Sequence, residues 1–340
     1  MRNMKAALKF IFYRICCPVA LFLQTDRLLR LFSKNKCLII MYHGISKKDH
    51  ASFNGRHLTE KQFEKQLLYF IKNFRILPLS EICERKQKGE TCSSNTIALT
   101  FDDGFLNNYL IALPLLEKHR VPATFFICGA SLGENTCKHP SDLLDIIHYG
   151  SKTNPLQLNG ESFLRKEGRF ICEHTGQNAE QYLSTLNLTS WTNAVTDLQI
   201  AVGTEELLQR TDPEVYQTMG GKEIREAGKS KYVSIGSHSH QHINLTRLTN
   251  EQLQDQLNLS KRELENCTGK AITSFAFPDG HFNEEVIAAC RESGYAYLVA
   301  GGEVPQALKK EVFPRMGLVS RASWSYTVLS INKGFARFGF

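Results

Sequence analysis

Ile97-Ala98-Leu99-Thr100-Phe101-Asp102-Asp103-Gly104 is a mostly apolar run, opened by Ile97-Ala98-Leu99 and closed by two adjacent carboxylates and a glycine. A continuous apolar run of this length reads as a strand covered on both faces, the habit of parallel sheets. Two neighbouring acids at its carboxyl end repel one another unless a cation or a shared proton relieves them. An exposed Asp-Asp-Gly turn is the bland alternative, and this stretch alone does not exclude it.

The same arrangement recurs further along. The run from Tyr232 to Gly236 is followed by Ser237-His238-Ser239-His240-Gln241-His242, and Phe275-Ala276-Phe277 by Pro278-Asp279-Gly280-His281. In all, seven strands are expected: Leu38 to Tyr42, Thr96 to Phe101, Ala123 to Cys128, Tyr232 to Gly236, Ser274 to Phe277, Tyr295 to Val299 and Val312 to Val319. Between them lie helix-period stretches. Thr59 and Gln62 form a capping box before the stripe Phe63, Leu67, Phe70, Ile71 and Phe74; Thr249 and Gln252 repeat it before Leu253, Leu257 and Leu264. Asn283 caps a helix carrying Val286, Ala289 and Cys290, with Gly294 as its stop. Strands alternating with helices predict an α/β fold with parallel strands joined by crossovers. Residues 129–231 are too many for one crossover, so a largely helical insertion is expected there, on a rim where insertions shape binding sites.

Composition narrows the class. The 340 residues are 42% hydrophobic and 22% charged, which excludes a disordered, collagenous or coiled-coil chain. Ten scattered cysteines without a CxxC pair read as mostly reduced, buried thiols. The net charge of +7 sits wholly in residues 1–36, where eight basic side chains face one acid, Asp26; the rest of the chain is balanced, which argues against nucleic acid as a partner. The apolar run Phe10 to Leu23 in that segment is interrupted by Arg14 and Pro18 and is too short to span a bilayer. It is expected to be a basic amphipathic segment peripheral to an anionic membrane; a helix packed on the domain is the competing reading, and a signal peptide fits less well because no small-x-small cleavage site follows.

Three histidines just past one strand end, with carboxylates past another, are the donor set that zinc and similar ions prefer, and one Asp with two His leaves a coordination position open for catalysis. In that company the Pro278-Asp279-Gly280 turn becomes a candidate oxyanion hole built of backbone amides. No Gly-x-Ser-x-Gly elbow is present and no cysteine flanks these motifs, so a covalent nucleophile is not expected.

Thr100-Phe101-Asp102-Asp103-Gly104, His238-Ser239-x-x-His242 and Phe275-Ala276-Phe277-Pro278-Asp279-Gly280, in that order, resemble the first three motifs of the polysaccharide deacetylases, the NodB-homology or carbohydrate esterase family 4 domain. Ile40-Met41-Tyr42-His43-Gly44 and Phe63-x-x-Gln66-Leu67 look like its bacterial surface-polysaccharide branch. The resemblance covers residues 38 to about 128 and 232 to about 319. It implies a distorted (β/α)7 barrel, here over 37–330 with 129–231 inserted. It also implies Asp102 as catalytic base, with Asp103, His238 and His242 as ligands of a divalent metal, most simply Zn2+; no other cofactor is expected.

The chain departs from the family pattern in three places. Ala276 stands where many members carry an Arg, and Arg315 is the expected substitute. Asp279 replaces an aromatic residue but can still lend its backbone N–H to the oxyanion. The late Leu-x-His motif that supplies the general acid is absent, leaving His43 and His281 as candidates. The expected activity is metal-dependent removal of an N-acetyl group from an amino sugar in a polysaccharide or lipid-linked glycan precursor, in cell-surface polysaccharide synthesis. The expected location is cytoplasmic, at the inner face of the membrane. A glycan-binding barrel without turnover and an amidase acting on another linear amide are the alternatives.

Overall fold

The computed structural model of the chain describes residues 12–32, 35–92, 94–133, 139–166, 168–203, 206–318 and 320–338. Seven parallel strands close into a ring: β1 (Cys37–Tyr42), β2 (Thr96–Phe101), β3 (Ala123–Ile127), β4 (Val233–Ser237), β5 (Ser274–Ala276), β6 (Tyr297–Gly301) and β7 (Val312–Gly317). Successive strands pair in chain order, and β1 closes the barrel by pairing with β7 on one side and β2 on the other. A short strand, Arg75–Ile76, adds to the lower half of β2, and Gly44–Ser46 pairs with His57–Thr59 beside the barrel.

The period-2 alternation of the strands sorts their side chains into two cores. Leu38, Ile40, Tyr42, Ile97, Leu99, Phe101 and Phe125 face the surrounding helices. Ile39, Ala98, Phe126, Ala276, Val299 and Phe313 pack together in a second cluster, the barrel interior. Thr100 and Arg315 continue those inward-facing registers toward the carboxyl ends, so polar groups stack directly above the apolar lumen, with the Arg315 guanidinium 5.3 Å from the Phe126 ring centroid.

Most sequence expectations hold, with shifts that have local causes. Both capping boxes form, and Asn283 caps its helix by accepting from the Val286 amide. In the Glu60–Asn73 helix the buried residues are Phe63, Gln66, Leu67 and Phe70, whereas Ile71 is exposed and Phe74 lies past the helix end. Gln66 belongs to the buried face because its Oε1 accepts the Tyr42 hydroxyl hydrogen bond. The strand expected from Tyr295 starts two residues later: Gly294, at φ 80°, ends the preceding helix, and Tyr295 belongs to that turn through its amide to the Cys290 carbonyl. Val319, the expected end of the last strand, lies outside the described residues.

The insertion contains helices, among them Pro140–Gly150, Ala179–Thr185 and Leu188–Ala201, together with an unforeseen antiparallel sheet of Leu156–Leu158, Glu161–Lys166 and Arg169–Cys172. Its elements enclose a separate core that includes Leu143, Ile147, Phe163, Phe170 and Leu198. At its far end, the Met219 and Leu106 amides bond to the Gly104 and Gln217 carbonyls, tying the returning chain to the segment that follows Asp103.

In the N-terminal segment, Cys17–Phe22, with Pro18 in its first turn, and Thr25–Phe32 pack beside the Trp324–Arg337 helix. Phe22, Leu23, Ile15, Val19 and Leu28 stay exposed, so the segment is both docked and apolar-edged. No helix among the described residues is long and apolar enough to cross a membrane. Arg2, Lys5, Lys9 and Lys34 lie outside the described residues, as does Cys137; the nine described cysteines are free thiols, and seven of them are buried.

Gly236, inside β4 and two residues before His238, has no room for a side chain: a Cβ there would fall 2.5 Å from the Phe126 ring and 3.2 Å from the Ser274 carbonyl. Gly236→Ala is expected to destabilise the protein by about 1–3 kcal/mol, read as a lowered urea midpoint, because the neighbours to be displaced are a packed ring and backbone.

Candidate active site

Asp102 and Asp103 emerge at the carboxyl end of β2, and a left-handed residue sends them in different directions. Asp103 has φ 70° and Gly104 φ 64°, a conformation that Asp tolerates better than most residues. Both carboxylates are buried, each with 3% of its surface exposed.

Asp102 is anchored from across the barrel. Arg315 Nη1 and Nη2 donate to its two oxygens at 2.6 and 2.7 Å, and Nη1 also donates to Thr100 Oγ1 at 3.1 Å. Burial alone would raise the Asp102 pKa, but Arg315, aided by His238, outweighs it and holds the carboxyl below the ordinary range. Ala276, on the neighbouring inward register, is small enough to leave the lumen to this guanidinium.

Asp103 faces imidazoles. Its Oδ1 lies 3.5 Å from His238 Nε2 and 3.4 Å from His242 Nε2. His238 Nδ1–H donates to the Ala276 carbonyl at 2.7 Å, which leaves a lone pair on Nε2. Two electron-rich atoms therefore meet at a separation longer than a good hydrogen bond, and a cation between them resolves the contact. Bond lengths of 2.0–2.1 Å in a tetrahedral zinc site put neighbouring ligand atoms roughly 3.3 Å apart, close to the spacing found here. His242 shows the same demand for positive charge: burial would depress its pKa, but Asp279 and Asp103 push it up to about 9. The residues present fit a divalent ion.

The remaining expected residues divide between the buried centre and its rim. His43, in the link after β1, is held below its usual pKa by burial, against the pull of Asp103 and Asp102. His281 is exposed and lies on a groove of about 330 Å3 with His242 and Asp279. Asp279 sits at φ 52° in the Pro278–Gly280 turn, whose own hydrogen bonds use the Gly280 and His281 amides.

The insertion, expected to shape a binding site, lines the other side of this groove through residues that sequence reasoning did not single out. Pro140, Leu144, Glu180 and Trp191 of the insertion line it opposite the barrel residues. The insertion is fastened by Arg56, which donates to Asp142 at 2.5 Å and reaches Asp145 at 3.3 Å. Burial raises Asp142 to about 7 even against Arg56. His139, fully buried, hydrogen-bonds through Nε2 to the Asp103 carbonyl at 2.9 Å. These residues belong to no motif and are brought together only by the tertiary fold.

An α/β barrel that carries a buried carboxylate pair and histidines at its carboxyl-terminal mouth defines the class. The profile of the polysaccharide deacetylase family matches residues 89–298, and the chain belongs to that family. The Bacillus subtilis protein YxkH, whose name assigns it to the polysaccharide deacetylases, is 24% identical over 261 residues, 76% of this chain and 62% of its own. A Staphylococcus epidermidis poly-beta-1,6-N-acetyl-D-glucosamine N-deacetylase is 27% identical over 125 residues, 33% of this chain and 43% of that protein. The chain thus spans less than two thirds of the length of these relatives. Two solved structures share the fold: Streptococcus pyogenes deacetylase PplD in complex with acetate (TM-score 0.56, 16% identity, 87% of this chain and 97% of that one) and IcaB from Ammonifex degensii (TM-score 0.55, 13% identity, 88% and 97%).

Arg315→Met leaves the Asp102 charge buried without its partner and is expected to cost about 3–5 kcal/mol in urea unfolding. Adding Asp102→Asn should restore part of that loss, since the orphaned charge is gone; additive effects of the two substitutions would contradict the pairing.

Proposed function

We propose that the chain is a metal-dependent hydrolase that removes an N-acetyl group from an amino sugar of a polysaccharide or lipid-linked glycan. The observation that carries this reading is the division of labour between adjacent carboxylates, one locked to Arg315 and one facing two imidazoles. Asp103, His238 and His242 would hold the ion, most simply Zn2+. When bound, the ion supplies Lewis acidity, polarising the acetyl carbonyl and making water a better nucleophile.

The chain's own residues do the rest. Asp102, kept ionised and oriented by Arg315, takes the proton of the attacking water. The backbone N–H of Asp279 donates to the oxygen as negative charge develops on it. His43, held neutral by its burial, relays the proton from Asp102 to the sugar nitrogen as its bond to the acetyl carbon breaks. The products are acetate and a free amine, and no covalent enzyme intermediate is required. His281, on the exposed rim, serves substrate contact in this reading.

Asp103→Ala and His238→Ala are each expected to abolish both bound metal and acetate release from poly-β-1,6-N-acetylglucosamine and chitin oligomers, whereas Asp102→Asn should keep the metal and lose turnover by a factor of at least about 10². Acetate release that survives Asp103→Ala rejects the assignment. Metal binding without acetate from any glycan or linear amide favours the glycan-binding alternative.

The same proposal places the enzyme at the inner membrane face, on lipid-linked substrates. It draws support from the exposed row of Ile15, Val19, Phe22, Leu23 and Leu28 beside the exposed Arg14 and Arg27. Sedimentation with anionic vesicles should retain the protein and release it at high salt, and Phe22→Asp with Leu23→Asp should abolish retention; equal binding to zwitterionic vesicles counts against the electrostatic part.

A further inference from the structure

His139 is an imidazole at the centre that no motif accounts for. It precedes Pro140, which confines it to extended backbone, here φ −63° and ψ 137°, and it enters the Pro140–Gly150 helix without forming a side-chain cap. Its side chain turns to the barrel instead. The Asp103 carbonyl can only accept, so the His139 Nε2 that bonds it carries the proton, and Nδ1 is left with a lone pair. That Nδ1 is buried and has no hydrogen-bond partner. An unpaired buried acceptor costs about 1–3 kcal/mol unless a donor or a cation meets it.

The surroundings favour a cation. The His139 ring packs edge-on to His242 with centroids 4.9 Å apart. A ring nitrogen of His139, a carboxylate oxygen of Asp103 and a ring nitrogen of His242 all lie within 4.8 Å of one another. His238 approaches the same Asp103 oxygen from the barrel side.

We propose that His139 is a further ligand of the ion held by Asp103, His238 and His242, delivered by the inserted segment. This rests on the metal-dependent reading above and adds to it: the insertion completes the coordination shell besides walling the groove. An imidazole there raises the donor set to one carboxylate and three imidazoles and narrows the sites left open to water and substrate. Removing the insertion's hold on the barrel then weakens metal binding as well as glycan binding.

The test uses the full chain loaded with Co2+, whose visible absorption reports ligand number and type, together with Kd values measured by competition with a chelator. His139→Gln keeps a donor for the Asp103 carbonyl but offers no ring nitrogen; His139→Ala removes both. Both variants are expected to weaken Co2+ at least about 10-fold and to change the band positions and intensities. Asp103→Ala should abolish binding. Unchanged Kd and spectrum in folded His139→Gln overturn the inference and leave the metal reading intact. A weakened Kd with an unchanged spectrum also overturns it, assigning His139 to positioning the Asp103 loop. A wild-type chain that binds no Co2+ overturns both.

Discussion

Two carboxylates on consecutive residues are buried side by side, and the rest of the site follows from how that is made tolerable. Burial penalises each charge, and each charge penalises the other. The left-handed backbone at Asp103 separates them, so that Asp102 meets a guanidinium and Asp103 meets imidazoles. One carboxylate is then fixed, ionised and unable to wander, and the other presents a cluster in need of a cation. A base and a metal-ligand set are the two things hydrolysis of an unactivated amide asks of a protein that uses no nucleophilic side chain.

The barrel makes this division possible at little structural expense. Because alternate residues of every strand point into the lumen, an arginine on β7, five strands after β2 in sequence but separated from it in the ring only by β1, can reach the mouth through the same register that packs Phe313 and Val299 below it. Arg315 needs room, and Ala276 and Ala98 give it. A large side chain at either position would compete with the guanidinium for the same volume. The identity of the strand that supplies the arginine is thus secondary; what the chemistry fixes is that some inward register must place a fork of donors opposite Asp102.

What could be read from the sequence was what local rules determine. Strands β1 to β7 are short apolar runs, the capping boxes at Thr59 and Thr249 are three-residue devices, and Asp102, Asp103, His238 and His242 sit directly after strands whose direction a parallel barrel dictates. The misses have a common cause. Ile71 has the right spacing for a buried stripe, but Gln66 takes the inner position because Tyr42 offers its hydroxyl there. Tyr295 has strand propensity, yet Gly294 turns the chain and makes it part of the helix exit. Arg56 and His139 lie in irregular segments and Asp142 in the first turn of a helix, and they gain meaning only when the insertion folds against the loop after the first barrel strand.

The insertion is therefore part of the centre and not an appendage. Asp103, Ser239, His242 and Asp279 all have positive φ, a conformation that costs an L-residue roughly 1–2 kcal/mol. Strain of that size persists only where neighbours hold it. Ser239 Oγ accepts the His242 amide and steadies the histidine loop from within. The Asp103 turn is held from outside by residues on both flanks of the inserted chain: His139 binds the Asp103 carbonyl, and the Met219 amide binds that of Gly104. The insertion's entry and exit thus clamp consecutive carbonyls of the strained turn, while Asp142 and Asp145 tether the entry to Arg56. A segment secured in this way cannot shift without moving the Asp103 carboxylate, so the groove wall and the candidate centre are mechanically one unit.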